Sequence, residues 1–176
     1  MRNEGFDSEM TRPRREPRQR SAGEALSALM RLCSRAERSS GDAMRLMRQW
    51  GVAENEREGV LRRLVEMKFI DDSRYAEAFV REKTDLAGWG EYKIRMALQR
   101  KGISRTTIDD ALRTTDRDTM RMHLEQRIVR KMRTVKYTSP YDLRTKLMRY
   151  ALSLGYDFDT AGDAVERTMC DIPSQE

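Results

Sequence analysis

The sequence has little of what most enzymes and secreted proteins rely on. Of 176 residues, one is histidine (His123) and two are cysteine (Cys33 and Cys170). Two cysteines do not make a disulfide framework, and a reducing cytosol is the simpler setting. Three soft ligands scattered along the chain do not make a structural zinc site. A single imidazole leaves little for acid–base chemistry. No stretch reaches the ~20 apolar residues of a membrane span. The opening Met1-Arg2-Asn3-Glu4 leads into charge rather than the apolar core of a secretory signal. There is no P-loop, no His-Glu-x-x-His and no nucleophile elbow. Gly88-Trp89-Gly90 begins like a dinucleotide fingerprint, but Lys93 stands at the third glycine position and no strand pattern precedes it. Runs of alternating β-branched residues are missing too, and Arg133–Thr138 reads as the fraying end of a helix. No catalytic, cofactor-binding or metal-binding residue is assigned.

Charge is abundant. Charged residues make up 36% and apolar residues 38%, with a net charge of +6 carried by 28 Arg and 7 Lys against 29 acidic residues. The length suits one domain or one compact array of small modules, enough to bury a core. Residues 1–23 lack apolar periodicity, and Arg12–Arg20 holds five Arg, one Glu and two Pro. This stretch reads as a disordered basic tail, with an arm toward an anionic surface as the sharper alternative. Residues 171–176 read as a C-terminal tail.

From Glu24 onward the apolar period is helical. Leu26, Leu29, Cys33 and Ala36 form one stripe, Tyr75, Ala76, Phe79 and Val80 a second, and Met120, Leu124, Ile128, Met132 and Val135 a third. Ser39 with Asp42, Asn55 with Glu58, and Ser139-Pro140 with Asp142 have N-terminal capping spacing, and Asp72 and Ser104 can cap likewise. Gly51, Gly102 and Gly155 read as left-handed helix ends. Aligned on these glycines, apolar residues recur eight before (Ala43, Ile94, Leu147), four before (Met47, Leu98, Ala151) and one after (Val52, Ile103, Tyr156). Each unit has a longer amphipathic helix upstream. The pattern predicts an all-α fold: three tandem three-helix repeats stacked into an elongated, curved array, with modules at 24–71, 72–115 and 116–170.

The acidic pairs Asp71-Asp72 and Asp109-Asp110 could hold a divalent cation in a hydrolase. Both lie where helices start and favour negative charge, so a structural role is the better account. Basic charge is concentrated. Arg117–Arg149 carries +7 and Gly90–Arg105 carries +4, whereas Tyr150–Glu176 carries −5. Such a face attracts a polyanion: nucleic acid, an acidic protein surface, or a nucleoprotein with both. The contact candidates are Lys93, Arg95, Arg100, Lys101, Arg127, Arg130, Lys131 and Arg133. Trp89, Tyr92, Tyr137, Tyr141 and Tyr150 flank the same region. They suit base stacking, but module packing at helix starts explains most of them equally well.

Phe69-Ile70-Asp71-Asp72-Ser73-Arg74-Tyr75-Ala76-Glu77-Ala78-Phe79-Val80 resembles the acidic-aromatic signature of the RecX regulatory proteins. Gly90, Ile94, Leu98, Lys101-Gly102-Ile103, Ile108 and Ala111-Leu112 resemble that family's second-module signature. The resemblance runs from about Ala25 to about Met169. Gln49-Trp50-Gly51 and Ser153-Leu154-Gly155 lack the Lys-Gly pair. What it implies is a non-enzymatic, monomeric, cytoplasmic bacterial regulator that needs no cofactor and touches no membrane. Its implied partners are the RecA protein and the groove of the RecA–DNA filament, with suppression of recombination, ATPase and co-protease activities. Weak direct DNA binding accompanies that expectation, and competition for nucleic acid is the alternative mode of action.

Overall fold

The computed structural model describes residues 19–170, so the expectations for residues 1–18 and 171–176 lie outside the described residues. Within them the chain forms α-helices and no strand. These are α1 (Ala22–Cys33), α2 (Ser40–Gln49), α3 (Glu54–Glu66), α4 (Asp72–Asp85), α5 (Glu91–Arg100), α6 (Arg105–Arg113), α7 (Arg117–Met132), α8 (Pro140–Ser153) and α9 (Phe158–Cys170). They group in threes as three-helix repeats.

The helix boundaries follow local chemistry. Ser39, Ser104 and Ser139 accept from the amides of Asp42, Thr107 and Asp142, satisfying donors with no partner inside their own helices. Gly51, Gly102 and Gly155 leave the second helix of each repeat at φ 70°, 77° and 91°. Three expectations are corrected. α3 starts at Glu54 behind Ala53, with no side-chain cap, so Asn55 lies inside the helix. α4 is capped by Asp71, which accepts from Ser73 and Arg74, while Asp72 turns to another helix. α1 begins inside the stretch expected to be tail, because Ser21 and Glu24 form a capping box.

The repeats are joined end to end through their second helices. The N-terminus of α2 sits on the last turn of α5. Ser39 Oγ donates to the Lys101 carbonyl at 2.7 Å, and a Cβ on Gly41 would stand 2.2 Å from that oxygen. Asp72 accepts from the Ser40 amide (2.9 Å) and hydroxyl (2.6 Å), and Lys101 Nζ lies 3.1 Å from Asp42. The N-terminus of α5 sits on α8 in the same way. The Gly90 amide donates to Leu154 (2.8 Å) and the Tyr92 amide to Gly155 (3.1 Å), and a Cβ on Gly90 would meet the Gly155 oxygen at 2.4 Å. Orphan carbonyls of one helix thus meet orphan amides of the next, with dipoles head to tail. At the remaining end of α2, the Arg20 amide donates to Trp50 at 2.9 Å and its guanidinium lies 4.1 Å over the indole.

Two cores result. Leu29, Met47, Val52, Leu64 and Ile70 form one inside α1–α3. A second runs unbroken through α4–α9, with Ile94, Leu98, Ile108, Leu124, Ile128, Leu147 and Val165 buried. The first repeat therefore adjoins the rest through polar contacts and a glycine-to-backbone approach, reinforced by the two-pronged Arg74–Glu37 pair at 2.8 and 3.1 Å.

Separate cores predict two calorimetric transitions. Ile70→Ala should lower the first repeat's transition by about 2–4 kcal/mol and leave the other in place. A single transition shifted as a whole by Ile70→Ala would contradict this division.

Candidate functional site

The basic residues singled out from the sequence fall into three settings. Lys93, Lys101 and Arg127 serve the joints between repeats. Lys93 Nζ donates to the Ser153 carbonyl at 3.0 Å and lies 4.7 Å over the Trp89 ring. Lys101 pairs with the buried Asp42. Arg127 on α7 donates to the Leu86 carbonyl, and its guanidinium covers Gly88, so it caps the end of α4 from the neighbouring repeat. Arg95 is spent on Asp109 and on Glu91 (2.9 Å). The hydrogen bonds that Arg95 donates to Asp109, and then to Glu91, push the pKa of its guanidinium further up, and the bond Asp109 accepts from Arg95 holds that carboxyl below the usual carboxylate range. Arg100, Arg130 and Arg133 are exposed, with no ionic partner among the described residues. Lys131 Nζ lies 5.5 Å over Tyr150.

Common neighbours bring part of this set together. Trp89 follows the Gly88 that Arg127 covers, and it takes Lys93 on its ring. Lys93 reaches Ser153, one turn along α8 from Tyr150, which takes Lys131. The α4–α5 connection, the C-terminal half of α7 and the C-terminal half of α8 therefore share one basic-aromatic face. Tyr75, Phe79 and Trp89 run into it as a ladder with centroids 6.1 and 6.4 Å apart. Lys83 joins it, 5.2 Å from Phe79 and 5.5 Å from Trp89, and Leu86 is 74% exposed at its edge. Sequence reasoning missed Lys83 and Leu86. Lys83 sits at i+4 from Phe79, a spacing that could have flagged it. Nothing in the sequence marks Leu86 as exposed.

Arg95 opens instead onto a cleft of about 690 Å³ between α5, α7 and α9, lined also by Tyr92, Arg117, Arg121 and Tyr156. The Tyr156 hydroxyl donates to the Met120 carbonyl at 3.0 Å, and burial pushes its pKa up to about 12. It is therefore a fixed strut at neutral pH.

The acidic pairs are engaged structurally. Asp71 and Asp72 cap α4 and α2, Asp109 holds Arg95, and Asp110 pairs with Arg113 at 2.9 Å. Of the five flanking aromatics, Trp89 and Tyr150 pack against the core, but Tyr92, Tyr137 and Tyr141 are exposed. The expectation that most of them pack between modules is corrected for these three. No described helix is long and apolar enough to cross a membrane.

A tandem array of three-helix repeats with a basic, aromatic-backed face places the chain among the helical-repeat proteins. Residues 71–112 match the family described as RecX, second three-helix domain. The chain is 35% identical over 109 residues to the regulatory protein RecX of Clostridium botulinum strain Alaska E43, covering 60% of this chain and 50% of that one. It is 32% identical over 123 residues to the RecX of Halalkalibacterium halodurans, covering 68% and 43%. The alignments span about half the length of the curated relatives. The crystal structure of RecX from Lactobacillus salivarius superposes with a TM-score of 0.75 at 18% identity, over 85% of this chain and 97% of that one, which shows the shared fold. The chain belongs to the RecX family. Its relatives are named regulatory proteins, in agreement with a non-enzyme.

Among the candidate contacts, the joint residues should behave differently from the exposed ones. Arg127→Ala should cost about 1 kcal/mol or more in thermal unfolding, because the Leu86 carbonyl loses a charged donor. Arg130→Ala should stay within about 0.5 kcal/mol of the parent. Equal losses would contradict the assignment of Arg127 to the joint.

Proposed function

We propose that the chain binds the RecA recombinase, seats itself in the groove of the RecA–DNA filament, and suppresses recombination, ATPase and co-protease activities. The supporting observation is its family membership combined with the basic-aromatic face on the second and third repeats. The proposed contacts on this face are Arg130, Lys131 and Arg133, with Lys93 and Arg127 shaping it and Arg100 extending the exposed charge. Lys101 and Arg95 are the weakest contact candidates, since both are engaged by carboxylates. A row of repeats can touch several subunits of a filament at once and gain avidity from each. The chain acts as a monomer in the cytoplasm, without a cofactor.

Binding should be compared on bare single-stranded DNA and on the same strand coated with RecA, across a range of salt. The coated strand should bind more tightly and keep its advantage as salt rises. Tighter binding to bare DNA with a steep salt slope would instead assign the protein to competition for nucleic acid. Reversing Arg130, Lys131 and Arg133 together should weaken filament binding about tenfold or more at unchanged helical content. Unchanged inhibition of the RecA ATPase by that variant would refute this face.

A further inference from the structure

Each second helix of the array ends on the same plan, a cap residue and then a left-handed glycine: Trp50-Gly51 on α2, Lys101-Gly102 on α5 and Leu154-Gly155 on α8. At all three the cap carbonyl is taken and the glycine is closely approached. Leu154 accepts from the Gly90 amide, and Lys93 stands against Gly155. Lys101 accepts from Ser39, and Gly41 stands against Gly102. Those partners come from the start of another second helix. Trp50 accepts instead from the Arg20 amide at 2.9 Å, and a Cβ on Gly51 would stand 2.9 Å from the Gln19 side chain. The Arg20 guanidinium, 4.1 Å over the Trp50 indole, fastens the segment there. At the end of α2, the chain entering α1 thus occupies the place where a further repeat would dock.

The other end of the array is a helix start that meets no helix end among the described residues. α8 reproduces the polar half of the α2 start. Ser139 accepts from the Asp142 amide as Ser39 does from Asp42, and both aspartates hold the third helical position. The side-chain hydrogen bonds of this start stay within 136–146. What it lacks is glycine. The α2 joint closes because Gly41, at the second helical position, admits the Lys101 oxygen to where a Cβ would be 2.2 Å away. The α5 joint closes because Gly90, at the cap, admits the Gly155 oxygen, which a Cβ would meet at 2.4 Å. Tyr92 can then hold the second position of α5 with its ring in water. α8 has Ser139 at the cap and Tyr141 at the second position, so a Cβ obstructs either approach.

We infer that two stops end the array, the Gln19–Arg20 strap over the end of α2 and the Cβ of Tyr141 at the start of α8, and that the two ends they close are complementary to each other. With both stops removed, the α8 start of one copy seats on the α2 end of a second copy. Carbonyls and amides that lack partners then meet as they do inside the array. Such a contact is head to tail, so it builds open chains or rings rather than a two-fold pair. The inference rests on the reading of the chain as a monomer and on nothing about the recombinase.

The test is the mass of the full chain in sedimentation, over about a hundredfold range of concentration. Arg20→Pro removes the donating amide and the cation together. Tyr141→Gly gives α8 the Ser-x-Gly-Asp order of α2. Either change alone should leave the parent's mass. Together they should raise it about twofold or more at the highest concentration, and dilution should reverse the gain. Arg20→Glu is a second way to open the α2 end. It sets an anion at the carbonyl end of that helix, leaves the Ser21–Glu24 cap of α1 in place, and should act like Arg20→Pro when joined to Tyr141→Gly. The discriminating control pairs either Arg20 change with Tyr141→Ala, which removes the ring and keeps the Cβ, and it should stay at the parent's mass. Equal association of the alanine and glycine pairs would overturn the inference. So would doubly opened chains that keep the parent's helix content by circular dichroism and remain monomeric. A parent that already associates would overturn the monomer reading too, so the two failures are told apart by the parent alone.

Discussion

Everything in this molecule depends on how one helix end meets the next. A helix finishes with carbonyls that have no partner and starts with amides that have none, and burying either unpaired is costly. Here the second helix of one repeat answers the second helix of its neighbour: Gly90 and Tyr92 donate to Leu154 and Gly155, and Ser39 donates to Lys101. The approach is so close that a Cβ at Gly41 or Gly90 would fall within 2.4 Å of a carbonyl oxygen. Small residues at helix starts and left-handed glycines at helix ends are therefore two halves of a single joint.

The joints differ in what surrounds them, and this sets the mechanical character of the array. Around α5 and α8 the apolar faces of α4 and α7 merge, so the second and third repeats share a core and behave as a unit. Around α2 and α5 the contacts are carboxylates, hydroxyls and an ammonium: Asp72 on Ser40, Lys101 on Asp42, Arg74 on Glu37. Exposed ion pairs contribute little each and are screened by salt, whereas a shared core is not. The proposed contact face lies on the second and third repeats, which hold Trp89, Lys93, Lys131 and Tyr150 together.

Using charge for construction limits how much is available for binding. Arg127, Lys93 and Lys101 look from sequence like members of one basic surface, yet each satisfies a carbonyl or carboxylate of a neighbouring repeat. The exposed Arg100, Arg130 and Arg133 have no such duty. The family's signature is similarly architectural: Asp71 and Asp72 cap two different helices, Tyr75 and Phe79 pack, and Gly102 closes a joint.

The repeat, its glycine register and the serine caps Ser39, Ser104 and Ser139 were legible in the chain, because the helical period, the cap and the left-handed helix end are local properties of a few neighbouring residues. The buried positions of the register, among them Ala43, Ile94 and Leu147, follow from the same periodicity. What only the tertiary structure decided involves partners distant in sequence. Asp72 serves Ser40, 32 residues away, rather than its own helix, and Arg127 serves Leu86, 41 residues away. Trp89 and Tyr150 pack against the core while Tyr92, Tyr137 and Tyr141 face water, and that depends on what else in the fold lies beside each ring. Local spacing carries no information about that, since the deciding surface belongs to a different part of the chain.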